Sequence, residues 1–157
     1  MKRVVITGQG TINSLGTDVA ATTRAMREGR CGIGELEMRD VDRLSIHIGG
    51  QVKDYDPEAL FNRQQIALYD RFTQFTLIAA REAIGQSGLK FSGALAAGSG
   101  VVLGTSGGGM NTLDENYRSV YEDGKNRVHP FVVPKLMNNA AASHVSMEFN
   151  LKGPSFT

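Results

Sequence analysis

Apolar and polar positions along the chain alternate between two periods. Val4-Val5-Ile6 is a short β-branched run that ends at glycine, and it predicts a buried strand over Lys2–Thr7. Gly8–Thr17 reads as a loop. Thr17 or Asp18 can cap the helix that follows, whose small or apolar positions include Val19, Ala20, Thr23 and Met26, and Gly29 is its expected stop. Residues 30–45 are irregular. Ile46-His47-Ile48 and Gln51-Val52 suggest an edge strand or hairpin around Gly49-Gly50. "RFTQFTLIAAREAIGQSGL", Arg71 to Leu89, carries the strongest helical signal. Phe72, Phe75, Thr76, Ala79 and Ala83 share one face, and Leu77, Ile78, Ala80 and Ile84 widen it. That breadth predicts a helix buried on most sides, closed by Gly88.

"GVVLGT", Gly100–Thr105, predicts a second buried strand, followed by the cluster Gly107-Gly108-Gly109. Asp114–Asp123 fits a short helix. Pro134–Asn150 reads as one helix, with Pro134 in its first turn and a small-residue face at Ala140–Ser143. Ser155-Phe156-Thr157 looks like a strand just starting. Strand, helix, strand, helix is an α/β order, without internal repeat or linker. A strand start at the last residues is odd for a complete domain and suggests a cut.

Composition narrows the class. The chain has 157 residues, 41% hydrophobic and 21% charged, with a formal net charge of +1, as expected for a globular domain or part of one. No Lys/Arg cluster marks a nucleic-acid binder, and no apolar run has the length of a membrane span. The single cysteine, Cys31, excludes an intrachain disulfide and makes a cytoplasmic setting the default. Many of the 19 glycines cluster around residues 98–109, which implies close backbone packing there.

The candidate chemistries fail on their residues. A dinucleotide fingerprint needs a third glycine after Gly8 and Gly10, but Asn13 stands there. Glu28 has the spacing of the ribose-binding acid yet falls in a helical stretch. Gly104-Thr105-Ser106-Gly107-Gly108 satisfies the nucleophile-elbow spacing after a strand. A hydrolase would then need an acid and a histidine from Asp114, Asp123, His129 and His144. Close backbone packing is the preferred reading of this turn. Cys31 follows a helix C-terminus, where the dipole disfavours a thiolate. His47, His129 and His144 lack metal-ligand spacing, and no metal or cofactor is expected. Asp114-Glu115 and Glu122-Asp123 read as solvated faces.

Five stretches together carry a family resemblance: "RVVITGQGTINSLG", "GRCGIGE", "YDRFTQFTLIAAREAIGQSGL", "GVVLGTSGGG" and "PFVVPKLMNNAAASHVSMEFNLKGPSFT". In this order, over essentially the whole chain, they resemble the β-ketoacyl-[acyl-carrier-protein] synthases, the condensing enzymes of fatty acid and polyketide synthesis. The resemblance implies a thiolase-like, layered αβα fold, with residues 1–157 as most of its N-terminal half, truncated before the nucleophile helix. Family chains are more than twice as long. Their cysteine nucleophile follows the "KGPS" strand, and two histidines come much later, so all three would lie beyond Thr157. By this resemblance the chain alone should be inactive, and Cys31 matches a small residue rather than the nucleophile.

The same resemblance implies a decarboxylative Claisen condensation of an acyl thioester with a malonyl thioester on acyl carrier protein. It also implies a homodimer in the full-length protein. Gly107 falls where many long-chain relatives carry a branched gate over the acyl tunnel, which implies a less gated mouth. Val132 and Val133 match a loop that lines the acyl pocket, partly across the dimer interface. Two other classes stay open: a non-catalytic unit acting through the synthase dimer surface, and a serine hydrolase at Ser106. Half of a layered sandwich is also expected to be marginal as an independent fold, with apolar helix faces such as that of residues 71–85 left without partners.

Overall fold

The computed structural model describes residues 3–157. Its elements run α1 (Val19–Arg27), β1 (Gly34–Glu35), a 3-10 turn at Val41–Arg43, β2 (Ile48–Gly49), α2 (Arg63–Leu68) and α3 (Arg71–Ser87). They continue with α4 (Gly93–Gly98), β3 (Val101–Val102), α5 (Met110–Tyr121), α6 (Val132–Leu136), α7 (Ala140–Phe149) and β4 (Ser155–Phe156). Helices and strands mix as the sequence implies. Two compact units result: the chain up to Asp56 with Ile78–Gly88, and Pro57–Leu77 with Leu89–Thr157.

In the first unit, the Asp18 side chain caps α1 by accepting from the Ala21 N–H at 2.6 Å, and Gly29 ends the helix with φ +65°. Glu82 of α3 adds a second acidic group at this helix start. One carboxylate oxygen accepts from the Val19 N–H and the other from the Thr11 N–H, both at 2.9 Å. Gly8 and Gly10 lie directly on α3, where a Cβ would collide with the carbonyl groups of Ala83 and Ala79. These glycines serve close backbone approach, as expected of a tight turn. The N–H groups where a phosphate would sit are already taken by protein carboxylates.

The strand expected over Lys2–Thr7 does not form at its described residues, Arg3–Thr7. Lys2 lies outside the described residues, and Arg3–Thr7 carry no ladder. Val4 is 98% and Ile6 91% exposed. A strand needs a neighbour for its N–H and C=O groups, and among the described residues none pairs with Arg3–Thr7. Of the edge strand or hairpin expected around Gly49-Gly50, a strand forms at Ile48–Gly49, but its partner is not Gln51-Val52. β2 pairs antiparallel with β1, in the stretch expected to be irregular, with Gly34 opposite Gly49 and Glu35 opposite Ile48.

In the second unit, β3 and β4 pair in parallel, with Val101 opposite Ser155 and Val102 opposite Phe156. A parallel pair needs a crossover, which α5, α6 and α7 supply. α7 packs on both strands through a small face: Ala140, Ala141, Ala142 and Val145 are buried. Asn150 closes α7 in the left-handed region (φ 56°), and its side-chain amide donates to the Phe91 carbonyl at 3.3 Å. β3 is shorter than expected, and Val102 is exposed rather than buried.

α3 matches its expected extent to within two residues and is largely covered: Thr73, Gln74 and Leu77 are buried. Large apolar side chains are exposed on extended segments, at Val4–Ile6, Val102 and Phe156, and on helices, at Met26 of α1, Tyr121 of α5 and Met147 of α7. The single helix expected over Pro134–Asn150 is two helices. The Leu136 carbonyl accepts from the Gly109 N–H at 3.0 Å, while the Ala140 N–H turns to Met137 at 2.9 Å. This long-range bond ends α6 and lets α7 begin afresh.

Candidate functional site

The glycine turn after β3 and the start of α5 are held by close backbone contacts and buried hydrogen bonds. Gly108 takes φ +61°, a conformation that favours glycine, and its N–H donates to Thr105 Oγ1 at 3.2 Å. A Cβ on Gly109 would meet the Leu136 Cα at 2.6 Å and the Lys135 carbonyl oxygen at 2.8 Å. The turn and α6 are thus in backbone contact, and only glycine permits it. α5 begins at Met110, four residues before the expected Asp114, because Asp70 stabilises its first turn.

Asp70 is 2% exposed, and its Oδ2 accepts from both the Thr112 N–H, at 2.8 Å, and the Thr112 hydroxyl, at 2.6 Å. Its Oδ1 accepts from the Phe72 N–H at 3.2 Å, and its carbonyl accepts from the Gln74 N–H at 3.1 Å. One carboxylate therefore caps two helix N-termini, α3 beside it in sequence and α5 across the unit. Nothing in the motif reading singled out this group. Its position immediately before Arg71 is an N-cap signal, but its tie to Thr112 has no local signature.

Gly107 sits in the turn, and Val132 and Val133 form the first residues of α6. Gly109 and Leu136 bring the two segments together. Val133 is 60% exposed, and Val132 is half-buried. A side chain at Gly107 would meet Met110, with Cγ at 2.9 Å and Sδ at 3.2 Å from the Cβ position.

The acids and histidines that a hydrolase at Ser106 would need are engaged elsewhere. Asp114 is held by Arg118 Nε at 2.9 Å, and Asp123 by Lys125 Nζ at 3.3 Å. His129 Nδ1 accepts from the Phe131 N–H at 3.2 Å. His144 packs at a tilt against Tyr69, with ring centroids 4.4 Å apart. Burial pushes the His144 imidazole below its ordinary range, and the nearby Glu148 charge partly opposes that. Neither acid nor histidine is turned toward Ser106 by these bonds.

In the first unit, Cys31 is exposed on a polar cleft of about 340 Å³ that Ser14, Gln51 and Lys53 also line. Its Sγ accepts from the Ile33 N–H at 3.4 Å. The cations of that cleft are paired, Lys53 with Glu37 at 2.6 Å and Arg30 with Glu28 at 3.0 Å. Among the described residues no group of three His, Cys, Asp or Glu side chains could hold a metal ion.

The family model "Beta-ketoacyl synthase, N-terminal domain" matches residues 1–157. The chain is 35% identical over 154 residues to a 3-oxoacyl-[acyl-carrier-protein] synthase 2 of Staphylococcus aureus (strain N315), covering 98% of this chain and 37% of that protein. It is 40% identical over 155 residues to Nodulation protein E of Rhizobium leguminosarum bv. trifolii, covering 99% of this chain and 38% of that protein.

Among solved structures, the ishigamide ketosynthase/chain length factor superposes with a TM-score of 0.83 at 22% identity, over 98% of this chain and 39% of its own. AntDE:AntF, a ketosynthase bound to the hexaketide in complex with its type II acyl-carrier protein, gives 0.76 at 20% identity, over 98% of this chain and 41% of its own. The fold is therefore thiolase-like, as the motif resemblance implied. The chain spans a little over a third of the length of the curated relatives it matches.

Proposed function

The chain belongs to the β-ketoacyl synthase family as an N-terminal domain, and from that membership we propose that residues 1–157 form part of a condensing enzyme of fatty acid or polyketide synthesis. The observation that carries this reading is the family match over residues 1–157. The reaction joins an acyl thioester to a malonyl thioester on acyl carrier protein. The malonyl C–C bond to its carboxylate breaks and releases CO2. The freed electron pair attacks the acyl carbonyl, the acyl thiol leaves, and a β-ketoacyl thioester remains on the carrier.

In this reading the nucleophilic cysteine and two histidines are supplied by sequence later than Thr157, and residues 1–157 alone turn over no substrate. Their part is to shape the acyl pocket. Gly107 leaves its mouth ungated, and Val132 and Val133 line its wall. The bond from Gly109 to Leu136 supports this assignment, since it holds the turn against α6, while Asp70 holds the start of α5 through Thr112. A cytoplasmic homodimer acting on acyl carrier protein completes the reading. Among the described residues no helix is long and apolar enough to cross a membrane.

A second reading is a non-catalytic unit that acts through the synthase dimer surface. The exposed Val102 and Phe156 on β3 and β4 favour it. Mass spectrometry of carrier-bound products separates the two. The synthase containing this chain should convert acyl and malonyl thioesters to the β-ketoacyl thioester, whereas residues 1–157 alone should not. Absence of product from that synthase overturns the condensing reading.

A further inference from the structure

One glycine of the first unit's polar cleft has no packing reason for lacking a side chain. Gly16, Gly34 and Gly49 all line that cleft. A Cβ on Gly16 would meet the Thr22 backbone nitrogen at 2.7 Å, and one on Gly49 would meet Leu36 Cδ2 at 2.8 Å, so close neighbours account for both. Gly34 differs. It sits in β1 with an ordinary φ, and a Cβ there would have no atom within 4 Å. Glycine within a strand gives up side-chain packing and costs conformational entropy. Its effect at this position is to leave the cleft open.

The groups around that space carry both signs of charge and unused hydrogen-bonding capacity. Arg30 meets Glu28 through Nε at 3.0 Å, and Lys53 meets Glu37 through Nζ at 2.6 Å. Neither glutamate lines the cleft. The pairing holds both cations in place and leaves the outer guanidinium nitrogens of Arg30 and further ammonium protons of Lys53 as donors. Among the described residues, the Asp54 carboxylate and the Ser14 hydroxyl of the same cleft have no hydrogen-bond or ion-pair partner. A carboxylate accepts and cannot donate, so Asp54 calls for a cationic donor, whereas Arg30 and Lys53 call for an anion. A cleft of about 340 Å³ is about 9 Å across, and two residues of extended chain span about 7 Å.

We propose that this cleft is a binding site for a small zwitterion of dipeptide size, whose ammonium meets Asp54 and whose carboxylate meets Arg30 and Lys53. The Ser14 hydroxyl can donate to, or accept from, the peptide unit. All these residues belong to the first unit and none is assigned to the acyl pocket, so the site stands independently of the condensing-enzyme reading.

Cys31 reports occupancy, because its exposed thiol lines the same cleft. In the synthase containing this chain, alkylation of Cys31 by iodoacetamide is followed by peptide mass spectrometry. Glycylglycine should slow it saturably. N-acetylglycylglycine amide, the same backbone without either charge, should not. Asp54→Asn should raise the half-saturating glycylglycine concentration by about tenfold. Gly34→Leu should abolish protection, measured against the variant's own rate without peptide. Asp54 is exposed, so its variant keeps the test valid if Gly34→Leu disturbs β1. An unaltered Cys31 rate up to the solubility limit of glycylglycine overturns the proposal, as does equal protection by the blocked peptide. Protection of Asp54→Asn at the unsubstituted concentration also overturns it, since the dipeptide would then act without this carboxylate.

Discussion

Asp70 Oδ2 accepts both hydrogen bonds that Thr112 can donate, the N–H at 2.8 Å and the hydroxyl at 2.6 Å, across 42 residues of sequence. The carboxylate is buried, so neither bond has water as a substitute. Asp70→Ala leaves the Phe72 and Thr112 N–H groups without this partner. It should lower stability by about 1–3 kcal/mol in urea unfolding. Thr112→Ser, which keeps both donors, should cost clearly less. Equal losses in the two variants would mean that packing, and not this bond pair, holds α5.

Glu82 does the same work in the first unit, through Thr11 and Val19. Glu82→Ala should cost about 1–2 kcal/mol, as loss of a helix cap does. Hydrogen exchange should report the loss locally, with faster exchange at Val19 and in the first turn of α1. Unchanged protection there would count against the capping role.

Glycine contacts make a third, graded prediction. A Cβ on Gly10 would overlap the Ala79 carbonyl, which belongs to the α3 backbone and has nowhere to go. Gly104 has open space around it and ordinary φ. Gly10→Ala should therefore destabilise by about 1–3 kcal/mol through overpacking. Gly104→Ala should stay within about 0.5 kcal/mol. Thermal melts of the pair decide this, and equal midpoints would remove the close approach from the fold's determinants.

His144 sets a pH dependence. Burial beside Tyr69 lowers its folded-state pKa below the ordinary 6.5, so the folded chain prefers the neutral ring. The unfolded chain then binds more protons between the two values, and stability rises with pH across that window. The contribution is fully present above 6.5 and is lost as the pH falls through the folded value. His144→Gln should flatten that part of the urea-midpoint profile. An unchanged slope in the variant would assign the pH effect to other groups.

The legible parts of the fold were those with local causes. Asp18 and Gly29 bracket α1 as their chemistry requires, and the broad apolar face of α3 fixed that helix to within two residues. Strands were harder, because an extended run is defined by its partner. Val4–Ile6 has the composition of a strand and no ladder, whereas Gly34–Glu35, with no such composition, pairs with Ile48–Gly49. The break between α6 and α7 depends on a bond from Gly109 to Leu136 that no local pattern announces. The candidate site divides similarly: Gly107, Val132 and Val133 are expectations from ordered motifs, while the tie from Asp70 to Thr112 emerges only from the folded contacts.

The most direct measurement is the product of the synthase containing this chain, given an acyl thioester and malonyl-loaded acyl carrier protein. The condensing reading predicts CO2 release and a carrier-bound β-ketoacyl chain extended by one malonyl-derived unit, detected by intact-protein mass. A folded protein that leaves both thioesters unchanged would contradict it.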